Sequence, residues 1–313
     1  VGDADDETPK ARAIAQHLGL PFETLSISGG DLLHSAGSFG ALLDEPNGDR
    51  SCVPTYLLSR LIRSHVTVAV SGDGGDELFA GYGRYLAAQR DSAFQALPPS
   101  RQAEQYFFGA LPVFARGTLE AAMPEQMILF RRRFVSRFQP LFTRPELDTF
   151  ARLRTADAYS YLPGAVLAKV DRMAMKHSLE VRTPFFSPEV LALSSRLPAR
   201  LVHANGLLKL ALRRVLERYL PSELLKVKKQ GFGMPARSSS RTPHCSSAWP
   251  RAPTSACVSG RLWLTAPRPL PRCENGARAN INSLWAWIVL GQWVESLSLH
   301  KAQAAELPRR VAA

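Results

Sequence analysis

The sequence lacks a long hydrophobic run, an export signal and a regular cysteine pattern. Its most apolar C-terminal stretch, Leu284 to Val294, is too short to span a bilayer and contains Gln292. No basic segment followed by an apolar stretch comes after Val1, so nothing indicates export. The four cysteines show neither pairing nor metal-ligand spacing, which argues against a disulfide framework and a zinc site. These absences predict a cytoplasmic protein with no membrane partner.

Acidic residues and lysine are almost missing from residues 237–280. This segment holds seven arginines, no lysine and one acid, Glu274, and so carries half of the formal net charge of +12. Because no stripe of Lys and Arg interleaved with aromatic residues appears elsewhere, the charge does not predict nucleic-acid binding. The segment is rich in Ser, Pro and Arg and has neither a helical nor a strand period. We interpret it as sequence translated out of frame; a disordered linker is the alternative.

The chain as a whole has a globular composition, with 45% hydrophobic and 21% charged residues among 313. Helix and strand patterns alternate before residue 71, which predicts a parallel α/β sheet. The predicted elements are the helix Lys10–Leu18 ended by Gly19, the strand Phe22–Ile27, the helix Asp31–Leu43, the helix Tyr56–Arg63 capped by Thr55, and the strand Val66–Val70. From residue 102 to residue 150 the pattern is helical. Seven phenylalanines there are predicted core residues: Phe107, Phe108, Phe114, Phe130, Phe134, Phe138 and Phe142.

The chemistry of the sequence is concentrated in one turn, Ser71-Gly72-Asp73-Gly74-Gly75-Asp76-Glu77. It follows the β-branched stretch Val66–Val70, predicted to be a buried strand, and precedes a helix-like Leu78-Phe79-Ala80. A strand, a glycine-rich turn and a helix in succession place backbone N–H groups where an anionic ligand can bind. The acidic side chains suit a turn that holds a divalent cation, which in turn holds phosphate. An ordinary αβ loop is the alternative, but the density of both glycine and acid favours the ligand site.

Farther along the chain, two pairs of charged residues are predicted to be structural and one lysine is a candidate phosphate ligand. We expect Asp171–Arg172 and Glu180–Arg182 to form structural ion pairs, because charges within apolar stretches are usually paired. Lys229 precedes the glycine-rich Gln230-Gly231-Phe232-Gly233 and could hold a leaving phosphate. A solvated surface lysine is the alternative interpretation of Lys229.

Taken together, these motifs resemble the synthetase domain of the glutamine-dependent asparagine synthetases, a branch of the ATP pyrophosphatase fold. The matching stretches, in order, are Asp44-Glu45-Pro46, Pro54-Thr55-Tyr56-Leu57-Leu58-Ser59, Ser71 to Tyr82, Lys169-Val170-Asp171-Arg172, Ser178 to Phe185, and Lys229 to Pro235. The similarity covers about residues 1–236 and returns near 281–295. The resemblance implies a parallel twisted sheet of the ATP pyrophosphatase (adenine nucleotide α-hydrolase-like) type, followed by a mostly helical subdomain.

The resemblance also implies an activity and residue roles. In this family ATP adenylates the side-chain carboxylate of aspartate, pyrophosphate leaves, and ammonia from glutamine displaces AMP. The implied cofactors are ATP and Mg²⁺. The implied nucleotide-binding residues are Ser71, Gly72, Gly74 and Gly75, the metal ligand is Asp76, and the catalytic residues are Asp73 and Lys229.

Three departures from the family pattern affect this interpretation. The Ser-Gly-Gly-x-Asp-Ser pyrophosphate loop of the family is absent, and Ser28-Gly29-Gly30-Asp31 is spaced differently. No cysteine fits the role of the glutaminase nucleophile, so we expect a glutaminase domain upstream in a longer protein. Ser187 stands where the family often has Asp. The resemblance leaves open whether the chain forms a homodimer.

We therefore predict four regions along the chain. They are a partial nucleotide-binding α/β core at 1–90, a helical part of the synthetase domain at 91–236, the aberrant segment at 237–280, and a C-terminal helix and tail at 281–313. Two alternatives to an asparagine synthase-type ligase stay open. One is a related amidotransferase or β-lactam synthetase-like enzyme with another carboxylate substrate, and the other is a non-catalytic remnant.

Overall fold

The computed structural model describes residues 6–27, 31, 39–110, 124–225, 255–258, 262–265, 285–286, 289–294 and 296–297. The chain divides into two compact units. The first unit comprises Val1–Ser26, Thr55–Leu111 and Arg133–Phe232, and the second comprises Ile27–Pro54, Pro112–Arg132 and Gly233–Ala313. Among the described residues, no helix is both long and apolar enough to cross a membrane.

Helices dominate the described part of the chain. The α-helices are α1 (Thr8–His17), α2 (Cys52–Arg63), α3 (Gly75–Leu78), α4 (Gly83–Arg90), α5 (Ser92–Gln95), α6 (Pro99–Gln105), α7 (Pro124–Phe142), α8 (Thr149–Tyr159), α9 (Ala168–Met175), α10 (Pro188–Arg196), α11 (Ala199–Val202), α12 (Leu210–Leu216) and α13 (Ser222–Leu225). Tighter or wider helical turns occur at Phe39–Leu42, Tyr106–Ala110, Leu162–Leu167 and Pro184–Phe186. The strands are β1 (Val68–Val70), β2 (Glu180–Arg182), β3 (Ser255–Val258) and β4 (Leu262–Thr265).

The ends of several elements follow from local sequence. Helix α1 carries a proline in its first turn, and Gly19 behind it has a φ of +66°, the left-handed conformation that ends helices. The predicted helix Lys10–Leu18 is therefore confirmed to within two residues. Helix α2 begins at Cys52, earlier than predicted. A turn precedes it, in which Asp49 Oδ1 accepts hydrogen bonds from the backbone N–H and the hydroxyl of Ser51.

The first unit contains a parallel strand pair. Val68 lies opposite Glu180 and Val70 opposite Arg182. The two strands are far apart in sequence, so helical chain connects them, as parallel pairing requires. The described structure is thus α/β and mostly helical, with a two-stranded parallel sheet. The larger twisted sheet implied by the resemblance stays a prediction.

Two expectations about strands were wrong. Residues 22–27 form no strand: the Arg12 guanidinium lies 5.0 Å from the centre of the Phe22 ring, and Glu23 pairs with His65 at 3.1 Å. Leu25, farther along this segment, is 37% exposed, and no strand among the described residues pairs with it. Nor is β1 buried, since Val68 is 40% and Val70 is 74% exposed. Within the described residues β1 has one neighbouring strand, and this pairing leaves its side chains largely uncovered.

An aromatic core fills the helical part of the first unit. Phe107, Phe138 and Phe142 are buried, and Phe108 and Phe134 pack against them, as the sequence predicted. The ring of Phe107 contacts those of Phe134 and Phe138 with centroids 4.9 and 4.8 Å apart. The prediction was wrong for Phe130, which is 51% exposed beside the exposed Ile128 and Leu129 on one stretch of α7. Phe114 lies outside the described residues.

The second unit contains the C-terminal tryptophans and a β-hairpin. Trp285 is buried with its ring 5.8 Å from that of Phe39, and Trp293 Nε1 donates to the Asp44 carbonyl at 3.0 Å. Residues 285–286, 289–294 and 296–297 are helical, which confirms the predicted C-terminal helix where it is described. Strands β3 and β4 pair antiparallel, although their sequence shows no strand period. The origin of that segment stays a prediction.

Candidate functional site

The acidic glycine turn lies at the carboxyl ends of the two parallel strands. The Ser71 N–H donates to the Arg182 carbonyl at 2.9 Å, which extends the ladder by one residue. The hydroxyls of Ser71 and Thr183 then meet at 3.3 Å, directly after β1 and β2. This is the edge of a parallel sheet at which ligands of α/β proteins bind.

Ser71 and Asp73 hold each other in place within the turn. The Ser71 hydroxyl donates to Asp73 Oδ2 at 2.5 Å, and the Asp73 N–H donates to Ser71 Oγ at 3.2 Å. Since the single hydroxyl proton of Ser71 goes to Asp73, the Thr183 hydroxyl is the donor in their contact. The structure therefore brings together two of the predicted site residues, and adds Thr183, which the sequence did not single out.

Close packing requires the glycines at the centre of the turn. Gly74 has a φ of +84°, and a Cβ built there would lie 2.6 Å from two ring atoms of Phe186. A Cβ on Gly75 would lie 3.1 Å from Phe185, whose ring also packs on Phe79 with centroids 5.5 Å apart. The Pro184–Phe186 turn after β2 is therefore pressed against the glycines after β1. Gly72 differs, because a Cβ there would meet nothing within 4 Å.

Asp76 forms an ion pair with a lysine from a distant helix. Lys209 Nζ lies 3.1 Å from Asp76 Oδ1, and both side chains are less than one-third exposed. Lys209 precedes α12 and has a left-handed backbone with a φ of +53°. Gly81 lies beside the pair: a Cβ there would come within 1.9 Å of Asp76 Oδ1 and 2.3 Å of Lys209 Cε. No pattern in the sequence predicts this ion pair.

Glu77, the last acid of the turn, faces the interior. It is 1% exposed, and the Tyr82 hydroxyl donates to its Oε1 at 2.6 Å. Burial raises the pKa of Glu77, while the hydrogen bond from Tyr82 lowers it by a smaller amount. Burial and the nearby Glu77 carboxylate in turn raise the pKa of Tyr82 far above its ordinary value. Glu77 is thus a structural residue that fixes the following Gly81-Tyr82-Gly83 stretch.

A buried charged network anchors the helix that follows the turn. Asp157 is fully buried and pairs with the Arg84 guanidinium, and its Oδ2 also accepts the hydroxyls of Tyr85 at 2.6 Å and Tyr106 at 2.8 Å. The Arg84 guanidinium lies 3.6 Å from the centre of the Tyr82 ring. Burial, the largest single influence, lowers the pKa of Arg84, but the Asp157 carboxylate together with Tyr106 and Tyr85 raises it above its ordinary value. The network connects α4, α8 and the turn Tyr106–Ala110.

The predicted ion pair of the second strand is confirmed. Arg182 Nε lies 2.7 Å from Glu180 Oε1, with both side chains more than half exposed. An exposed pair of this kind contributes at most about 1 kcal/mol. It is therefore a surface feature rather than part of the site, as its structural interpretation anticipated. The Asp171–Arg172 pair stays a prediction.

The predicted site residues fall into three groups. Ser71, Gly72, Asp73 and Gly74 lie in one continuous turn, and Gly75 and Asp76 are the first two residues of α3. Lys229 lies outside the described residues, so its place in the site stays a prediction. Within the described residues, no cluster of three or more His, Cys, Asp and Glu side chains is arranged to hold a metal ion by itself. A cation bound here would need oxygens from its ligand or from water.

Comparison with known proteins shows the family to which this chain belongs. The model of the asparagine synthase family matches residues 2–249. The chain is 31% identical, over 92% of its length, to putative glutamine-hydrolysing asparagine synthetases of Mycobacterium bovis and Mycobacterium tuberculosis, covering 48% of each. It is 27% identical to asparagine synthetase 1 of Bacillus subtilis, over 74% of this chain and 40% of that protein. The chain thus spans about half the length of the curated relatives it matches, and it belongs to the asparagine synthase family.

Proposed function

We propose that this chain supplies the synthetase part of an ATP-dependent amide ligase that makes asparagine from aspartate and ammonia. The observation that carries the proposal is the acidic glycine turn at the carboxyl ends of a parallel strand pair, within the span matched by the asparagine synthase family. Domains of this family are of the ATP pyrophosphatase type. Since the relatives are named glutamine-hydrolysing, we propose that ammonia comes from a glutaminase domain in a longer form of the protein.

The proposed reaction has two steps. An oxygen of the aspartate side-chain carboxylate attacks the α-phosphorus of ATP, and the bond to the departing pyrophosphate breaks. Ammonia then attacks the acyl carbon of the adenylate, AMP leaves, and the nitrogen loses a proton to a base. The first step needs fixed positive charge near the pyrophosphate, and the second needs a carboxylate near the attacking nitrogen.

The turn offers groups suited to both steps. We assign nucleotide contacts to Ser71, Gly72, Gly74 and Gly75 on the strength of the family motif. Of these glycines Gly72 is the exposed one, whereas the Gly75 N–H donates to the Gly72 carbonyl at 3.3 Å. Asp73 is assigned as the base, since its carboxylate is half-buried and oriented by the Ser71 hydroxyl. Lys229 is assigned to the departing phosphates on the strength of the family motif alone.

The donor set at Asp76 fits Mg²⁺. Hard divalent cations take oxygen ligands, and Asp76 already holds a cationic group, the Lys209 ammonium, against its Oδ1. Asp73 and Ser71 add oxygens in the same turn. When bound, Mg²⁺ would be held by Asp76 and would offset the negative charge of the departing pyrophosphate. The role of the chain in this respect is to orient Asp76 through α3 and through the packing around Gly81.

Exchange of labelled pyrophosphate into ATP, dependent on aspartate and Mg²⁺, tests the proposal directly. We expect no exchange from the 313-residue chain, which lacks the first phosphate loop, and exchange from a longer form in which an upstream Ser-Gly-Gly-x-Asp-Ser loop is restored. Asp76→Asn in the longer form should reduce the rate of exchange at least about a hundredfold, because removing one group that stabilises charge in the transition state has an effect of this size in other enzymes. Glu146→Gln is the control, because its carboxylate lies outside the turn in a surface pair with Arg144 in which both side chains are more than half exposed. Full exchange by the Asp76 variant would refute the assignment.

The acid substrate is tested in the same assay. Aspartate is the expected substrate, and replacing it with glutamate or a β-amino acid in the longer form should abolish exchange. Exchange with another carboxylic acid but not with aspartate would support the proposed adenylation chemistry and show that aspartate is not the substrate. Absence of exchange with every acid from a folded longer form would overturn the ligase proposal.

A further inference from the structure

The Asp76–Lys209 pair combines three features that an incidental surface contact would not share. The two charged atoms are 3.1 Å apart, and neither side chain is more than 30% exposed. Lys209 holds a left-handed backbone conformation, with a φ of +53°, which is unfavourable for a non-glycine residue. The closest approach to the pair is made by Gly81, where any side chain would overlap both Asp76 and Lys209. The local structure is therefore arranged to let this lysine reach this carboxylate.

The position of the ammonium conflicts with the proposed role of Asp76. A Mg²⁺ ion binds carboxylate oxygens at about 2.0–2.1 Å. An ammonium that stays 3.1 Å from the same oxygen would then lie within a few ångströms of a divalent cation, where like charges in a half-buried site repel strongly. The two cations cannot both be held by Asp76 Oδ1 without a marked loss of affinity. One of them must leave.

Lysine is the side chain best suited to leave. Its ammonium is a compact charge with three donors on a flexible four-carbon stem, so it can move several ångströms while its backbone stays fixed. The backbone of Lys209 is fixed at the start of α12, where Arg213 Nε donates to the Leu208 carbonyl at 3.0 Å. A phosphate chain bound over the turn would offer the displaced ammonium a new anionic partner.

We propose that Lys209 is a positioning residue that acts as an exchangeable counter-ion of Asp76. In the nucleotide-free chain its ammonium neutralises Asp76 and opposes cation binding. On arrival of the cation with its phosphate ligand, the ammonium moves from Asp76 to the phosphates. The consequence is that Asp76 binds a divalent cation poorly by itself and well together with nucleotide. The inference rests on the proposed function, because it takes Asp76 as the cation ligand.

Binding of Mn²⁺ to the nucleotide-free chain, followed by electron paramagnetic resonance of the free ion, tests the inference without any measurement of activity. Lys209→Met should bind Mn²⁺ about tenfold more tightly than the unaltered chain. Lys209→Asn should do the same, and it guards against misfolding because asparagine tolerates the left-handed conformation. Lys176→Met is the matched control, since Lys176 is exposed at the C-terminal end of α9, and it should leave the affinity unchanged. Asp76→Asn should remove the gain in the Lys209 variants.

Each outcome decides the question. Equal or weaker Mn²⁺ binding by both Lys209 variants, with Asp76-dependent binding in the unaltered chain, would overturn the counter-ion role and leave the proposed function standing. A gain that persists when Asp76 is replaced would overturn it as well. The stated gain together with a failure of pyrophosphate exchange in the longer form would support the counter-ion role while refuting the ligase proposal.

Discussion

The ring of Phe186 occupies the space that a side chain at residue 74 would need. Two of its ring atoms lie 2.6 Å from the position of a Cβ on Gly74, whose backbone is also left-handed. Phe186 follows β2 and Gly74 follows β1, so this contact joins the ends of the two parallel strands. The shape of the acidic glycine turn is therefore determined by a residue from the neighbouring strand as well as by its own glycines.

Replacing Gly74 by alanine tests this relationship. We expect Gly74→Ala to lower the free energy of unfolding by about 2–4 kcal/mol, the sum of left-handed strain and overpacking against Phe186. Gly72→Ala should change it by less than about 1 kcal/mol, because its added methyl group meets no atom within 4 Å. Urea denaturation measures both. The double variant with Phe186→Ala should recover the steric part of the loss, and equal losses at residues 72 and 74 would contradict the packing argument.

The buried Asp157 is expected to matter more for stability than any exposed charge. Asp157→Asn keeps an oxygen for the Tyr85 and Tyr106 hydroxyls but leaves the Arg84 guanidinium without a buried counter-charge. Breaking one side of a buried pair in this way costs about 3–5 kcal/mol. Glu104→Gln is the control, since its partner Arg101 is 66% exposed and the pair should contribute at most about 1 kcal/mol. Similar losses in both variants, measured by thermal unfolding, would show that the network is not stabilising.

Ser187 explains one departure from the family pattern. It precedes α10, and its hydroxyl accepts the Val190 N–H at 3.4 Å, which is the geometry of a helix N-cap. Ser187→Asp should preserve or slightly raise the melting temperature, because aspartate caps as well as serine and also favours the helix dipole. Ser187→Ala should lose about 1 kcal/mol. A loss with aspartate as large as that with alanine would mean that the serine is needed for something other than capping.

The features that sequence predicted well depend on nearby residues. Pro9 and Gly19 mark the two ends of α1, and the valines before Ser71 mark β1 because β-branched residues favour strands. The turn itself was identified from the density of its glycines and acids. In each case the residues that determine the structure are neighbours in the chain, so a single sequence contains the information.

The features that sequence missed depend on residues far apart in the chain. Nothing near Asp76 indicates that Lys209 pairs with it, and nothing near Gly74 indicates that Phe186 packs on it. The alternation at Phe22–Ile27 was misleading because it records an amphipathic stretch, which becomes a strand only where another strand lies beside it. Contacts of this kind are made by tertiary structure, and a pattern along one segment cannot report them.

The buried carboxylate of Glu77 is expected to make the free energy of unfolding depend on pH. Burial raises the pKa of Glu77 in the folded chain above its value in the unfolded chain. The folded state therefore binds the proton more tightly, and the stability this contributes is complete below the unfolded pKa and is lost as pH rises through the folded pKa. Glu77→Gln carries no such charge and can still accept the Tyr82 hydroxyl. We expect it to unfold at a higher temperature than the unaltered chain at pH 8 and at a similar temperature at pH 4.

Tyr82→Phe provides the opposite change at the same site. It removes the hydroxyl that donates to Glu77 and leaves the ionised carboxylate buried without that hydrogen bond, so it should destabilise the chain more at pH 8 than at pH 4. Thermal unfolding of the three proteins at both pH values separates the effect of the charge from that of the hydrogen bond. If Glu77→Gln lowered the melting temperature at pH 8, the ionised carboxylate would be stabilising, and Glu77 would have to be paired with a cation rather than held by Tyr82. That result would move Glu77 from a structural residue beneath the turn to a charged member of the site.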